Sequence, residues 1–268
     1  MKYLQLLTHE IGTSCNLIHK HQGKCPITIP ERYDAVDTHH ALTDDEIVSN
    51  ILTAYSHGFR GMTSWHSYCE PLLYLDRIEK IVAKVNEHIP QQHLLWTNGT
   101  LIEKIDPQRF KIFSKIIISN YQKKNWDFLK GIVPDLKILR GHLDDRVTKK
   151  RKTRKRCLRL FTEMIIDYYG NYRICCGDFM GTSLSLNTIK DGFDTIIHKH
   201  QELRSLISIE PQPYNVPNIC KTCSILGRTY IYNLVNLPYY NTMYKLMSDH
   251  NLIIEEERFY ISNYEDIK

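Results

Sequence analysis

Apolar residues in the first half of the chain fall into short continuous runs that alternate with segments of helical periodicity. The runs predict five strands, over 3–8, 61–67, 93–97, 115–119 and 136–139. The periodic segments predict helices over 44–57, from Pro71 onward, over 106–113 and over 126–132. Short apolar strands that are each followed by a helix are typical of parallel βα units buried on both faces. The pattern therefore predicts an α/β fold whose ligands bind at the carboxyl ends of the strands.

The first of these helices has clear start and end signals. Glu46 follows Thr43 by three residues, which is the spacing of a capping box with Thr43 as the N-cap. Gly58 follows the last apolar position and predicts the end of the helix.

The pattern changes in the second half of the chain. Two apolar stretches, 163–169 and 172–176, flank a Gly-Asn turn at 170–171 and predict a β-hairpin. A helix over 193–206 follows, and then a loop that contains two cysteines. We predict a barrel domain over 1–148, a basic linker loop over 149–156, and a hairpin-plus-helix module with a C-terminal extension over 157–268.

Composition is that of an ordinary globular protein. The chain has 268 residues, of which 42% are hydrophobic and 24% charged, enough for a sizeable core. No apolar run approaches membrane-spanning length, and the N-terminus has no apolar core followed by a small-residue cleavage site. We therefore expect a cytoplasmic protein with no membrane partner. In that compartment, eight cysteines favour metal binding or catalysis over disulfides.

Positive charge is concentrated in one segment. The net charge is +5, and Lys149–Arg156 has seven basic residues in eight. We interpret this run first as a solvated loop, because its charges repel one another. Binding of an anionic substrate or of nucleic acid is the alternative, although no aromatic residue is present for base stacking.

Four cysteines have the spacing of a metal site. Cys157 precedes Cys175, which closes the second strand of the predicted hairpin. Cys220 and Cys223 form a Cys-x-x-Cys pair in a proline-flanked loop. Four thiolates gathered in this way are suited to an iron–sulfur cluster.

Residues that follow the predicted strands form an ordered set. They are Cys15-Asn16-Leu17 after the first strand, Cys69-Glu70-Pro71 after the second, Thr97-Asn98-Gly99 after the third and Ser119 at the end of the fourth. Over residues 3–140 this order resembles the radical S-adenosylmethionine (AdoMet) superfamily, whose members have a partial (βα)6 barrel. The four later cysteines resemble the "twitch" form of that superfamily's auxiliary-cluster domains. The longer SPASM form has further cysteines after the Cys-x-x-Cys pair, and this chain has none beyond Cys223.

The resemblance implies a fold and a set of cofactors. The fold is a partial (βα)6 barrel with a small C-terminal β-hairpin plus helix module. The cofactors are AdoMet, an auxiliary [4Fe–4S] cluster and a second [4Fe–4S] cluster at the barrel mouth. The implied ligands of the auxiliary cluster are Cys157, Cys175, Cys220 and Cys223.

Three residues are candidates for binding AdoMet under this resemblance. Glu70 is expected to accept a hydrogen bond from the methionyl amine, because an ammonium group that leaves water must be paired. Asn98 and Ser119 are further candidates, with Ser119 near the ribose hydroxyls. Turn and strand-end roles explain Asn98 and Ser119 almost equally well. Cys69 stands where the family has glycine, which crowds the approach to Glu70.

The front loop departs from the three-cysteine motif of the superfamily. The first, fifth and eighth positions of the motif hold Cys15, His19 and Gln22. The candidate ligands in and near this loop are Cys15, His19, His21, Cys25 and Cys69. Three explanations stay open: a cluster held by these residues, a different metal such as zinc, or loss of the cluster. A histidine ligand would raise the reduction potential of a cluster.

The resemblance implies an oxidoreductase. We expect a 5′-deoxyadenosyl radical to abstract hydrogen from a small polar substrate such as a sugar or aminocyclitol, including an anionic one. The auxiliary cluster would take up the second electron, and a protein such as flavodoxin or ferredoxin would supply the reductant. The predicted barrel starts at residue 3, which leaves no room in front of it for a leader-binding domain and favours a small molecule.

Two alternative functions stay open. One is a scaffold that has lost the primary cluster and binds a partner or transfers electrons. The other is a radical enzyme that modifies a peptide or a nucleic acid.

Overall fold

Seven strands form one sheet, in the order β5-β4-β3-β2-β1-β6-β7. The computed structural model describes residues 1, 4–21, 23–33, 40–140, 159–181 and 184–208. The strands are β1 (Leu6–His9), β2 (Met62–Trp65), β3 (Gln92–Thr97), β4 (Lys115–Asn120), β5 (Asp135–Arg140), β6 (Glu163–Ile166) and β7 (Tyr172–Arg173). Neighbouring strands run parallel except for β6 and β7. The sheet confirms the predicted α/β class.

Helices connect the strands and cover one face of the sheet. They are α1 (Ile18–His21), α2 (Asp44–Ser56), α3 (Leu75–Asn86), α4 (Arg159–Thr162) and α5 (Phe193–Ser208). At the start of α2, the Glu46 N–H donates to Thr43 Oγ1 (3.2 Å) and the Thr43 N–H donates to the Glu46 carboxylate (2.7 Å). These two bonds confirm the predicted capping box. Of the helices described, none is both long enough and apolar enough to cross a membrane.

Two of the predicted helices are single 3₁₀ segments instead. They are Pro107–Ile112, predicted as a helix over 106–113, and Asp127–Leu129, predicted within 126–132. Asp106 caps the first segment by accepting a hydrogen bond from the Gln108 N–H (3.0 Å). Segments this short gain too few i→i+4 hydrogen bonds to offset the unfavourable nucleation of an α-helix. Each segment nevertheless buries an apolar side chain, Phe110 or Leu129.

The predicted hairpin is present, and its first strand also joins the parallel sheet. β6 and β7 pair in antiparallel fashion, with Ile165 opposite Arg173. The other edge of β6 pairs in parallel with β1, so that Glu163 lies opposite Leu6. The linker between the predicted domains, 149–156, lies outside the described residues. The division into domains therefore stays a prediction.

The two faces of the sheet bury different side chains. One face packs with the helices in a large core, to which the strands contribute Leu7, Trp65, Leu95, Ile116 and Met164, among others. The opposite face, the inner face, has a separate apolar cluster of Leu6, Met62, Leu94 and Ile117. Residues two apart on a strand share a face. The register therefore also assigns to the inner face Thr8, Ser64, Trp96 and Ser119.

A row of aromatic rings crosses the first three strands on the helix-covered side. The ring centroids of Trp65 and His93 are 5.9 Å apart, and those of His9 and Trp65 are 6.3 Å apart. Burial lowers the pKa of His9 to about 3 and the pKa of His93 to about 4. Both imidazoles are therefore neutral in the folded protein near pH 7.

His9 and His93 are expected to destabilise the fold as the pH falls. In the unfolded chain a histidine takes up a proton near pH 6.5, well above the folded pKa of either residue. Between pH 7 and pH 5, each histidine should lower the free energy of unfolding by about 2 kcal/mol. Urea melts of His93→Phe should show a pH-dependent loss smaller than that of wild type by about 2 kcal/mol. The exposed control His88→Gln should keep the wild-type pH dependence, and the same dependence in His93→Phe would contradict the prediction.

Candidate functional site

Glu70 connects the carboxyl ends of the first three strands. Its backbone N–H donates to the Ser14 carbonyl in the loop after β1 (2.9 Å). Glu70 Oε1 accepts hydrogen bonds from the Thr97 hydroxyl (2.6 Å) and the Leu72 N–H (3.1 Å). Glu70 Oε2 accepts one from the Asn98 N–H (2.8 Å). The side chain is buried, and no cationic side chain among the described residues lowers its pKa.

The Glu70 carboxylate is suited to bind a cationic group. Burial raises its pKa to about 7, against the three hydrogen bonds that favour the ionised form. A carboxylate has about four acceptor positions, so Oε2 retains one. A buried carboxylate is stabilised by a paired cation. The position therefore fits the ammonium group of AdoMet, as the resemblance implies.

The Asn98 side chain forms hydrogen bonds that link the loop after β3 to the loop after β1. Its Nδ2 donates to Asn16 Oδ1 (2.8 Å) and lies 3.9 Å from Cys15 Sγ. Its Oδ1 accepts a hydrogen bond from the Thr100 N–H (2.9 Å). Asn16 Nδ2 in turn donates to Thr100 Oγ1 (2.6 Å). These contacts favour a role for Asn98 in positioning Cys15 and Asn16 at the barrel mouth, formed by the loops after β1, β2 and β3.

Two candidate ligands of the front loop share one small cluster. Cys25 is buried with Ile27 and Tyr68, and Cys15 packs against the same cluster. Burial raises the pKa of the Cys15 thiol, and the nearby Glu70 carboxylate acts in the same direction. A metal bound to Cys15 would therefore have to displace a proton.

Neither of the other front-loop candidates whose side chains the structure describes, His19 and Cys69, completes a metal site with these thiols. His19 is exposed on α1, and His21 is the last residue of that helix. Cys69 is buried, which raises the pKa of its thiol, and its sulfur accepts hydrogen bonds from the backbone of Ile11 and Gly12. Across the described ranges, no three His, Cys, Asp or Glu side chains lie close enough to hold a metal ion. A front cluster with three protein ligands therefore stays a prediction, and no chemical step is derived from it.

The predicted auxiliary site is described at one of its four cysteines. Cys175 is buried just beyond β7, and its sulfur accepts a hydrogen bond from the Gly177 N–H (3.3 Å). A donor of this kind favours a thiolate. Cys157, Cys220 and Cys223 lie outside the described residues, so the cluster they would form stays a prediction.

A buried ion network joins the loop after β1 to the hairpin. Arg32 Nη2 lies 2.5 Å from Glu10 Oε1. Arg173 Nε and Nη2 donate to Asp167 Oδ2 at 2.9 and 2.5 Å, and Nη2 also donates to the Arg32 carbonyl (2.9 Å). All four side chains are almost fully buried. The loop that contains the front cysteines is thereby held against the strands that lead to Cys175.

Tyr68 lies between the two cysteine segments. Its ring packs against Cys25, and its hydroxyl donates to the Cys176 carbonyl. The preceding residue, Ser67, has a φ of 101°, a conformation that non-glycine residues rarely adopt. Strained backbone of this kind occurs most often at functional sites. At this turn the chain passes from His66 on the inner face to Tyr68 beside the front loop.

The inner face has a polar cluster that sequence analysis did not single out. His66 follows β2, with Nδ1 2.6 Å from Ser64 Oγ and Nε2 3.5 Å from Glu163 Oε1. The Thr8 hydroxyl donates to the same Glu163 oxygen (2.9 Å). The His66 ring centroid lies 5.2 Å from that of Trp96. The available signal was a pair of polar residues two apart, Ser64 and His66, within a predicted buried strand.

Ser119 belongs to the rim of this polar cluster. Its Oγ accepts a hydrogen bond from Trp96 Nε1 (3.0 Å), and both residues are half-buried. Because the oxygen accepts that bond, the Ser119 O–H is able to donate to a ligand. Its predicted contact with the ribose of AdoMet stays a prediction.

Two solved structures share the fold of this chain. The crystal structure of BtrN in complex with AdoMet and 2-DOIA matches with a TM-score of 0.55 and 19% identity, over 76% of this chain and 87% of BtrN. A selenomethionine form of BtrN in an open conformation matches with a TM-score of 0.53 and 19% identity, over 82% of this chain and 92% of BtrN. No family model and no curated protein matches the sequence. The chain therefore has the partial-barrel α/β fold that its resemblance to the radical AdoMet superfamily implies.

Proposed function

We propose that the protein is a radical AdoMet-type enzyme that modifies a small polar molecule. The observation that carries the proposal is Glu70, a buried carboxylate at the barrel mouth with no cation beside it among the described residues. BtrN has the same fold and was crystallised with AdoMet and 2-DOIA, which supports both an AdoMet site and a small-molecule substrate.

In this proposal Glu70 binds the ammonium group of AdoMet through the remaining acceptor position of Oε2. Hydrogen bonds from Thr97, Leu72 and Asn98 already fix the carboxylate, so little ordering is needed when the ligand arrives. The Ser119 hydroxyl donates a hydrogen bond to the ribose. Bound AdoMet supplies a radical that abstracts hydrogen from the substrate when an electron is delivered.

We also propose the substrate class and the partners that the resemblance to the radical AdoMet superfamily implies. The substrate is a sugar or aminocyclitol-like molecule, and the net reaction is a two-electron oxidation. The auxiliary [4Fe–4S] cluster would be held by Cys157, Cys175, Cys220 and Cys223, and a second cluster would involve Cys15 and Cys25. Electrons would come from a flavodoxin- or ferredoxin-like protein in the cytoplasm.

The front loop favours a second candidate function. Only Cys15 and Cys25 gather there among the described side chains, and those side chains include no three-ligand group. A protein that keeps the fold and the auxiliary site but lacks the primary cluster would show this arrangement. It would bind a ligand or transfer electrons without forming a radical.

Anaerobic reconstitution distinguishes the two functions. The proposed enzyme should contain about eight irons per chain, as two [4Fe–4S] clusters require. It should also release 5′-deoxyadenosine from AdoMet when a strong reductant is added. Cys15→Ala should then lose about half of the iron and all of the 5′-deoxyadenosine.

A different result would support the scaffold. The wild-type protein would hold about four irons and release no 5′-deoxyadenosine. Cys15→Ala would keep those irons, whereas Cys220→Ala would lose them. Both variants remove one thiol, so each serves as the control for the other.

A further inference from the structure

The loop after β3 supplies two of the hydrogen bonds that fix the Glu70 carboxylate, and its shape depends on Gly99. The Asn98 N–H donates to Glu70 Oε2 (2.8 Å), and the Thr97 hydroxyl donates to Glu70 Oε1 (2.6 Å). The Gly99 N–H donates in turn to the Thr97 hydroxyl oxygen (3.0 Å). Gly99 has a φ of 79°, a conformation that glycine adopts readily. The turn at Gly99 therefore determines where both donors lie.

Two side chains from the next part of the chain enclose Gly99. Ile118 is fully buried on β4, and Trp126, in the loop after β4, is 1% exposed. A Cβ atom added to Gly99 would lie 2.8 Å from Ile118 Cγ2 and 3.2 Å from Trp126 Cζ2. Both distances are shorter than the optimal separation of two carbon atoms, which is about 3.5–4.0 Å. Gly99 is therefore packed between a strand and an indole ring, with no room for a larger residue.

The loop that contains Trp126 is fixed by its own hydrogen bonds. Asn120 bridges it, because its Oδ1 accepts a bond from the Lys124 N–H (3.1 Å) and its Nδ2 donates to the Lys124 carbonyl (2.8 Å). The Lys124 ammonium also binds the Glu103 carboxylate, which lies beyond the Gly99 turn. The loop after β4 thus contacts the segment after β3 at two places, and one of them is the indole ring on Gly99.

We propose that Trp126 is a positioning residue, which packs against Gly99 and thereby holds the two donors of the loop after β3 on the Glu70 carboxylate. The indole N–H of Trp126 has no hydrogen-bond partner among the described residues, so the ring acts by its shape. The inference rests on the proposed function only in naming AdoMet as the ligand of Glu70. The packing itself is tested without that ligand.

Two glycines with the same backbone conformation provide a matched pair of variants. Gly131 has a φ of 86°, and a Cβ atom added there would have no described atom within 4 Å beyond its chain neighbours. Gly99→Ala and Gly131→Ala therefore introduce similar backbone strain, but only Gly99→Ala has to displace Trp126. Equilibrium dialysis with labelled AdoMet should show binding at least about tenfold weaker in Gly99→Ala. Gly131→Ala should keep the wild-type affinity.

Variants of Trp126 distinguish positioning from a general effect on stability. Trp126→Leu should weaken AdoMet binding about tenfold, because leucine does not fill the place of the ring. Trp126→Phe keeps an aromatic ring and should stay within about threefold of the wild-type affinity. Phe110→Leu is the control, since it removes a fully buried ring from the 3₁₀ segment Pro107–Ile112. It should destabilise the fold but keep the wild-type affinity.

Amide hydrogen exchange tests the packing in the absence of AdoMet. The Asn98 and Gly99 amides donate to Glu70 and Thr97, and their exchange reports whether those bonds are held. Both amides should exchange about tenfold faster in Gly99→Ala and in Trp126→Leu than in the wild-type protein. The two control variants should keep the wild-type rates at these amides.

Three outcomes would overturn the proposal. They are wild-type AdoMet affinity in Trp126→Leu, an equal loss of affinity in Trp126→Leu and Phe110→Leu, and unchanged exchange of the two amides. If Trp126→Leu does not fold, Gly99→Ala provides the test by the same two measurements.

Failure of the proposed function would look different. In that case the wild-type protein would not bind AdoMet, but the faster amide exchange in Gly99→Ala and Trp126→Leu would remain. Conversely, a protein that binds AdoMet equally well with and without the Trp126 ring would keep the proposed function and lose this positioning role.

Discussion

Glu70→Gln is expected to weaken AdoMet binding by roughly 30- to 100-fold. Glutamine keeps the size of the side chain and the acceptor for Thr97 and Leu72. It loses the negative charge, and an NH2 donor replaces Oε2, the acceptor for the Asn98 N–H and for the ammonium group. A buried charge-assisted hydrogen bond contributes about 2–2.7 kcal/mol, which corresponds to this range of affinity. Equilibrium dialysis with labelled AdoMet under anaerobic conditions measures the change. Glu87→Gln is the matched control on the protein surface and should bind as wild type does.

The same carboxylate should make AdoMet binding depend on pH. Burial raises the pKa of Glu70 to about 7, so the free protein is protonated at this position below pH 7. The ammonium group pairs only with the ionised form. Affinity should therefore fall about tenfold for each pH unit below 7 and level off above it. In Glu70→Gln the profile should be flat, and a flat profile in the wild-type protein would show that Glu70 is not the partner of AdoMet.

Asp167→Ala is expected to lower the free energy of unfolding by about 3–5 kcal/mol. Asp167 accepts hydrogen bonds from the backbone of Tyr169 and Asn171 and from Arg173, and the arginine is buried with it. Without the carboxylate, the buried Arg173 guanidinium loses its counter-charge and the hairpin turn loses its acceptor. The loss should be visible in urea melts of the protein.

Asp194→Ala is the control for this effect. Asp194 also has a side-chain partner, with Oδ1 2.6 Å from His57 Nε2, but its side chain is 65% exposed. A surface pair of this kind contributes less than about 1 kcal/mol. Equal losses in Asp167→Ala and Asp194→Ala would show that the buried network does not stabilise the hairpin.

Local sequence signals predicted most of the elements but not how they pair. The Thr43 capping box and the hairpin turn at Gly170 are determined by neighbouring residues, and both are present. The pairing of β6 with β1 depends on contacts between distant segments, and periodicity within a strand does not specify its partner. The segment Pro107–Ile112 was predicted as a helix but is a 3₁₀ segment, because apolar spacing alone does not indicate whether a segment is long enough to form an α-helix.

The same distinction holds for the candidate site: residues in a local motif were predicted, and residues brought together by strand pairing were not. Glu70 was identified because its position after β2 places it at the barrel mouth and because it resembles a known motif. His66 and Glu163 were missed because they belong to strands that are far apart in the sequence, and only the register of the sheet brings them together. The resemblance assigned the segment of Glu163 to a separate module, whereas the structure pairs β6 directly with β1.

The position of β6 also affects how the protein is made. Thr8 and Glu163 are in contact although 155 residues separate them. At usual synthesis rates, one edge of β1 therefore stays without its partner strand for roughly 8 to 30 s after β1 leaves the ribosome. An unpaired strand edge readily associates with other chains. During that interval the nascent chain exposes an aggregation-prone edge, which is covered only when the hairpin emerges and adds β6 to the sheet.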